Sequence, residues 1–194
     1  MYKKYKGILK SSNLYFIALI PDEKLREEVR CLKEEFKERY EAKHALKSPA
    51  HITLQRPFRR AEAGEEKIVK ILKEFSKIQE RFEVRLSGFG CFKPRVIFIK
   101  VLDHKKIQKL HLRLNRVLLD DLDFTEKEIN TKIHPHITLA TRDLDNTIFY
   151  RAWDDFKDKV FEADFIFKSL FLLKHNGKYW DIYREFPFYS EESA

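Results

Sequence analysis

"HITL", His51-Ile52-Thr53-Leu54, returns as His136-Ile137-Thr138-Leu139. A repeated tetrapeptide carries weight only if its surroundings repeat as well. Ahead of the first copy runs NLYFIALI, residues 13–20, a short apolar β-rich stretch that reads as a buried strand. Pro21-Asp22 then opens a helical pattern with Leu25, Val29, Leu32, Phe36 and Tyr40 on one stripe. The first copy lies in SPAHITLQRPF, residues 48–58, bounded by prolines and read as a strand. A second helix follows over residues 65–78, with Ile68, Ile71, Leu72, Phe75 and Ile78 facing one way, and RFEVRLSGFG, residues 81–90, alternates as a strand does.

The same order returns from Val96. VIFIKVL, residues 96–102, is an apolar strand, and residues 104–122 form a helix with Ile107, Leu110, Leu114, Val117 and Leu118 on its buried stripe. IHPHITLA, residues 133–140, is a strand, and residues 144–160 form a helix carrying Ile148, Ala152, Phe156 and Val160. FEADFIFKSLFLLK, residues 161–174, reads as one long strand. Asn176-Gly177 signals a hairpin, and KYWDIYREF, residues 178–186, returns beside it. Strand, helix, HITL strand, helix, strand therefore occurs twice. The pattern predicts a single domain over residues 1–194 made of two lobes, about 14–90 and about 91–188, sharing one core.

In a strand, alternate side chains face opposite ways. Ile52, Leu54, Ile137 and Leu139 are then buried, while each motif presents an imidazole beside a hydroxyl. Two such pairs facing one cleft have the parts for phosphoryl chemistry without a metal or other cofactor. One imidazole removes a proton from the attacking group and the other protonates the leaving oxygen. An ordinary pKa of about 6.5 places the optimum near neutrality. The threonine hydroxyls can hydrogen-bond the phosphate oxygens where charge builds up.

Composition agrees with a globular, anion-binding chain. Hydrophobic residues make up 43% and charged residues 36%, enough to bury a core and stay in solution. Lys plus Arg is 39 against 31 for Asp plus Glu, a formal charge of +8, which favours polyanionic partners, nucleic acid first. Cys31 and Cys91 lie far apart in apolar-patterned segments and are expected as buried thiols in a reducing compartment, neither a disulfide framework nor a metal cluster. The apolar run from Leu14 to Ile20 reads as a core strand, not a leader, and no stretch approaches a membrane span. A cytoplasmic monomer with no membrane partner is the expectation.

The sequence resembles the 2H phosphoesterase superfamily, the 2'-5' RNA ligase-like proteins and cyclic nucleotide phosphodiesterases. The resemblance rests on His51-Ile-Thr53-Leu and His136-Ile-Thr138-Leu, on Pro49 and Pro135 before them, on GFGCF (residues 88–92) leading into RVIFIKV, and on the closing LFLLKHNGKYWDIYREF. It covers about Leu14 to Phe186. It implies an α+β fold of two pseudo-symmetric lobes, with antiparallel sheets lining a central cleft and helices outside. It also implies hydrolysis or formation of 2',3'-cyclic phosphates and 2'-5' phosphodiester bonds, in RNA ends or nucleotides, with His51, Thr53, His136 and Thr138 as the catalytic set.

Arg56 and Arg142 follow the motifs, and with Arg95 they are candidates to neutralise phosphate. Phe58, Phe92, Tyr179 and Trp180 are candidates to stack a base. Two other readings compete: a zinc hydrolase built on His51, His134 and His136, and a non-catalytic RNA-binding module. His104 and His111, seven apart on a helix, read as surface residues.

Overall fold

A computed structural model describes residues 12–189. The first half contains β1 (Ser12–Leu19), α1 (Glu23–Tyr40), a 3-10 turn (His44–Lys47), β2 (Ile52–Ala61), α2 (Glu65–Lys77) and β3 (Phe82–Phe92). The second contains β4 (Val96–Val101), α3 (Lys105–Asp121), β5 (His136–Ala140), α4 (Asn146–Phe156) and β6 (Glu162–Phe167), and β7 (Ser169–His175) and β8 (Trp180–Pro187) close the chain. The duplicated order read from the sequence is therefore present element by element. Asp22 and Asp145 accept bonds from the backbone N–H groups of Leu25 and Ile148, each at 2.9 Å, and so cap α1 and α4.

The strands form two antiparallel sheets, β2-β1-β7-β8 and β5-β4-β3-β6. The two orders correspond over their first three places: motif strand at the edge, apolar strand next, then a strand from the other half. This is the pseudo-symmetric α+β architecture. The sheets do not divide the chain near residue 90, however. β3 leaves the first half to join β4, while β7 and β8 leave the second half to join β1. The stretch expected as one long strand breaks at Lys168: Phe167 pairs with Phe82 in one sheet and Ser169 with Pro187 in the other. The apolar pattern runs on through that break, so it carries no sign of the change of sheet.

One continuous cluster of buried apolar side chains runs through both sheets and the helices. The helical stripes hold at their centres and fail at two ends. Ile78 and Val160 lie beyond the last turns of α2 and α4 and are exposed. Cys31 is exposed and Cys91 half-buried, both free, so the expectation of two buried thiols is corrected. Among the described residues no helix is long and apolar enough to cross a membrane.

The helices cross over as the strands do. α1, from the first half, packs along β5, the second motif strand. α3, from the second half, reaches the first: the buried His111 ring meets the Leu54 carbonyl at 3.0 Å and the Asn130 carbonyl at 2.8 Å. His111 is thus a buried strut covering the free edge of β2, not a surface residue. Gln55 extends the same cover, donating to the Glu128 carbonyl at 2.8 Å.

Candidate active site

Ile52, Leu54, Ile137 and Leu139 are fully buried, which leaves His51, Thr53, His136 and Thr138 half-buried on the opposite faces. β2 and β5 lie against each other, so the two faces meet. A cavity of about 180 Å³ forms there, lined by His51, Thr53 and Thr138 with His44, Ser48 and Arg142. His136 is not part of that lining, but it is close enough for its charge to act on His51.

The two imidazoles are held alike. His51 Nδ1 lies 2.8 Å from the Pro49 carbonyl and His136 Nδ1 lies 2.6 Å from the His134 carbonyl. A carbonyl only accepts, so Nδ1 carries the proton in both rings and Nε2 is left for proton transfer. Each ring also rests on a phenylalanine of the neighbouring strand. Phe16 of β1 lies 4.8 Å from His51 and Phe98 of β4 lies 4.8 Å from His136, centroid to centroid. Behind these stand Trp180 and Phe92, each 4.6 Å away. Two equivalent stacks thus clamp the two histidines.

Their electrostatics differ. Burial pushes His51 down to about 4, with the charges of Lys33 and His136 acting the same way and the Pro49 carbonyl opposing. Burial also lowers His136, but the His134 carbonyl opposes it and only the neighbouring His134 and His104 add to it. Lys33 is the buried cation behind His51. Its ammonium donates to the carbonyls of Ala45 and Ser48, both at 3.0 Å, and burial brings it down to about 8. It pins the segment whose next carbonyl, that of Pro49, orients His51.

A family profile, the 2'-5' RNA ligase superfamily, matches residues 21–178. The chain belongs to the 2'-5' RNA ligase superfamily. A Geobacillus sp. (strain WCH70) protein named "Putative phosphoesterase" is 30% identical over 179 residues, covering 89% of this chain and 94% of its own length. One of that name from Halalkalibacterium halodurans is 25% identical over 186 residues, covering 92% and 99%. Among solved structures, TT0787 of Thermus thermophilus superposes with a TM-score of 0.64 at 19% identity, covering 92% of this chain and 99% of that one. E. coli LigT complexed with 3'-AMP gives 0.60 at 14% identity, with the same coverage. At such identities the likeness is one of fold.

In this member of the 2'-5' RNA ligase superfamily the arginine candidates separate. Arg142 lines the cavity, at a left-handed backbone position (φ 64°). The Asp143 carboxylate after it accepts from the backbone N–H groups of Lys43 and His44, at 2.9 and 2.7 Å, tying the two walls together. Arg56 turns away and donates to the carbonyls of Lys127 and Glu128, so it anchors a loop instead of facing phosphate. Arg95 is exposed beyond β3, outside the cavity lining. Phe58 is core, packed on Tyr15 and Phe124, and cannot stack a base. Trp180 lines the cavity, and Phe92 stands 5.2 Å from His136.

The three-histidine zinc alternative is not assembled. His134 packs against His104 instead, at 5.0 Å, and among the described residues no three His, Cys, Asp or Glu side chains converge as ligands. Sequence reasoning missed Lys33, Phe16 and Phe98. All had a signal: Lys33 interrupts the apolar stripe between Val29 and Phe36, and each phenylalanine lies in an apolar run read as the strand before a motif, NLYFIALI and VIFIKVL.

Proposed function

We propose that this chain is a phosphoesterase, in the cytoplasm, acting on a 2',3'-cyclic phosphate or a 2'-5' phosphodiester bond of RNA ends or nucleotides. One observation carries the reading: both motif histidines have Nδ1 bound to a carbonyl two residues upstream, leaving both Nε2 atoms for proton transfer, while Thr53 and Thr138 share one cavity with His51. Supporting it, LigT, which shares the fold, has been crystallised with 3'-AMP and with phosphate.

His51 is the base, because burial and Lys33 keep it neutral. His136 is the acid. No lysine stands behind it, its opposing neighbours being the imidazoles of His134 and His104, and an incoming phosphate anion favours its protonated form. In hydrolysis of a cyclic phosphate, His51 Nε2 takes a proton from water as its oxygen attacks phosphorus. His136 Nε2 gives its proton to the departing ribose oxygen. Thr53, Thr138 and Arg142 hold the non-bridging oxygens as charge gathers on them. Ligation is the same opening of the cyclic phosphate, with a 5'-hydroxyl of a second ribose in place of water: its oxygen bonds to phosphorus, His51 takes its proton and His136 protonates the departing ribose oxygen.

The test is a panel of 2',3'-cyclic nucleotides and 2'-5' linked oligonucleotides, with and without chelator, for the wild type and for Thr53→Val and Thr138→Val. Each valine keeps shape and β-propensity but deletes a donor, so turnover should fall by on the order of 10² with the fold intact. Absence of turnover across the panel would favour the RNA-binding reading. Activity lost to chelator and restored by zinc would favour metal chemistry.

A further inference from the structure

The cavity between the motifs holds about 180 Å³, below the roughly 300–1,000 Å³ of a site that encloses a whole small ligand. Most of any nucleotide substrate must therefore lie outside it. A larger groove of about 750 Å³ adjoins it, between α1, residues 43–50 and the turn from β7 into β8. Lys47, Ser48 and Trp180 line both spaces and form their common wall.

The groove is cationic beyond its own needs. Arg30 and Lys37 are paired with Glu27 and Glu34. Arg26, Lys43, Lys47 and Lys178 line it with no ion pair among the described residues, against one further carboxylate, Glu23. Arg26 Nε is buried with no hydrogen-bond partner. Tyr179 lies in the same wall, 43% exposed, beside Trp180. Cations without an ion pair along a groove with an exposed tyrosine and a half-buried tryptophan are what a single-stranded nucleic acid requires, phosphates for the former and bases for the latter. An acidic peptide would use the cations and leave the rings idle.

We propose that this groove seats the single-stranded chain leading to the reacting phosphate, so that the preferred substrate is an oligonucleotide end rather than a mononucleotide. This rests on the phosphoesterase reading above.

The experiment compares kcat/KM for a decaribonucleotide ending in a 2',3'-cyclic phosphate with that for the cyclic mononucleotide. The wild type should favour the decamer at least tenfold. Arg26→Gln/Lys43→Gln/Lys178→Gln combined should remove most of that preference and leave the mononucleotide rate within about twofold. The salt dependence for the decamer should flatten by roughly 0.7 in log–log slope for each phosphate the variant no longer neutralises. Circular dichroism and a melting curve establish that the variant is folded.

A parallel arm measures binding of an unreactive decamer with a 3'-phosphate, and of polyglutamate, by fluorescence anisotropy. If the wild type turns over neither substrate but the triple variant loses decamer binding tenfold, the groove stands and the catalytic reading falls. Equal kcat/KM for both lengths, or a triple variant that lowers both alike, overturns the groove. Polyglutamate bound as tightly as the decamer overturns its assignment to nucleic acid.

Discussion

His51 and His136 make the same hydrogen bond from Nδ1, yet they stand in different fields. His51 is pushed down to about 4 and is neutral across the physiological range, whereas His136, the acid in the proposed mechanism, must hold a proton to act. Activity therefore requires a pH above the His51 value and below that of His136, which burial has also lowered. The optimum of kcat/KM in the free enzyme should lie on the acid side of neutrality, not at neutrality as two ordinary histidines would give. A pH–rate profile peaking above pH 7.5 would reverse or abolish the assignment. The two limits belong to the pair, since the charge of His136 is felt at His51. His51→Ala and His136→Ala should each lower turnover by roughly 10³, and the double variant should be little worse, because removal and donation of the proton are one displacement. Single-turnover rates for the three variants decide this. Lys33→Met removes the cation behind His51 and frees the carbonyls of Ala45 and Ser48. The acid limb should then move toward neutral pH as well as the rate falling. A rate loss with an unmoved limb would make Lys33 a packing residue only.

At the scale of elements, each motif strand is an edge strand braced from both sides. Gly90 of β3 shows how close the bracing is. A Cβ there would come within 2.5 Å of the Phe98 ring, which is the ring under His136. Gly90→Ala should drive Phe98 against His136 and cost activity more than stability, read as a fall in kcat exceeding any change in melting temperature. On the first sheet the comparable brace is Glu65 at the start of α2. Its carboxylate accepts from Tyr15, Tyr183 and Lys174, tying α2 to β1, β8 and β7. Burial pulls this carboxyl up, but the bonds from Lys174, Tyr15 and Tyr183 outweigh it and hold it at about 2. A depressed carboxyl contributes stability above its unfolded value near 4.5 and loses that contribution as pH falls toward about 2. Glu65→Gln should cost about 2 kcal/mol at neutral pH and flatten this acid dependence, as chemical denaturation at two pH values would reveal. Equal costs at pH 7 and pH 3 would show that the charge does not matter there.

Over the whole molecule five histidine rings point one way. Burial lowers His44, His51, His111, His134 and His136 alike. A histidine whose folded pKa lies below its unfolded value of about 6.5 binds its proton more readily when unfolded. Stability is then full above that pH and declines as pH falls through the window toward the folded values. The melting temperature should fall steadily from pH 7 to pH 5, before the carboxylates titrate. A flat or rising melting temperature over that range would mean that these rings are not held neutral by the fold. Cleft and core are thus coupled, since the burial that keeps His51 neutral also makes the folded chain sensitive to acid.

Two kinds of information were legible in the sequence because each is local. The period of the apolar residues marked strands and helices, and the recurrence of HITL in the same register marked the duplication and the four polar side chains on one face. Asn176-Gly177 marked the β7–β8 turn for a similar reason: the Asn176 side chain accepts from the N–H groups of Lys178 and Tyr179, and Gly177 takes the positive φ of 101°. What a residue meets across the fold was not local and had to wait for the tertiary structure. The strand pairing that sends β3 into the second sheet and β7 into the first leaves no mark on the pattern of either strand. Arg56 and Arg142 stand in similar places after their motifs, yet one bonds loop carbonyls and the other lines the cavity. The inequality of the two histidines is likewise tertiary. It depends on a lysine brought from α1 and on how deeply each ring is covered, and desolvation is set by all the atoms packed around a group, not by its neighbours in the chain.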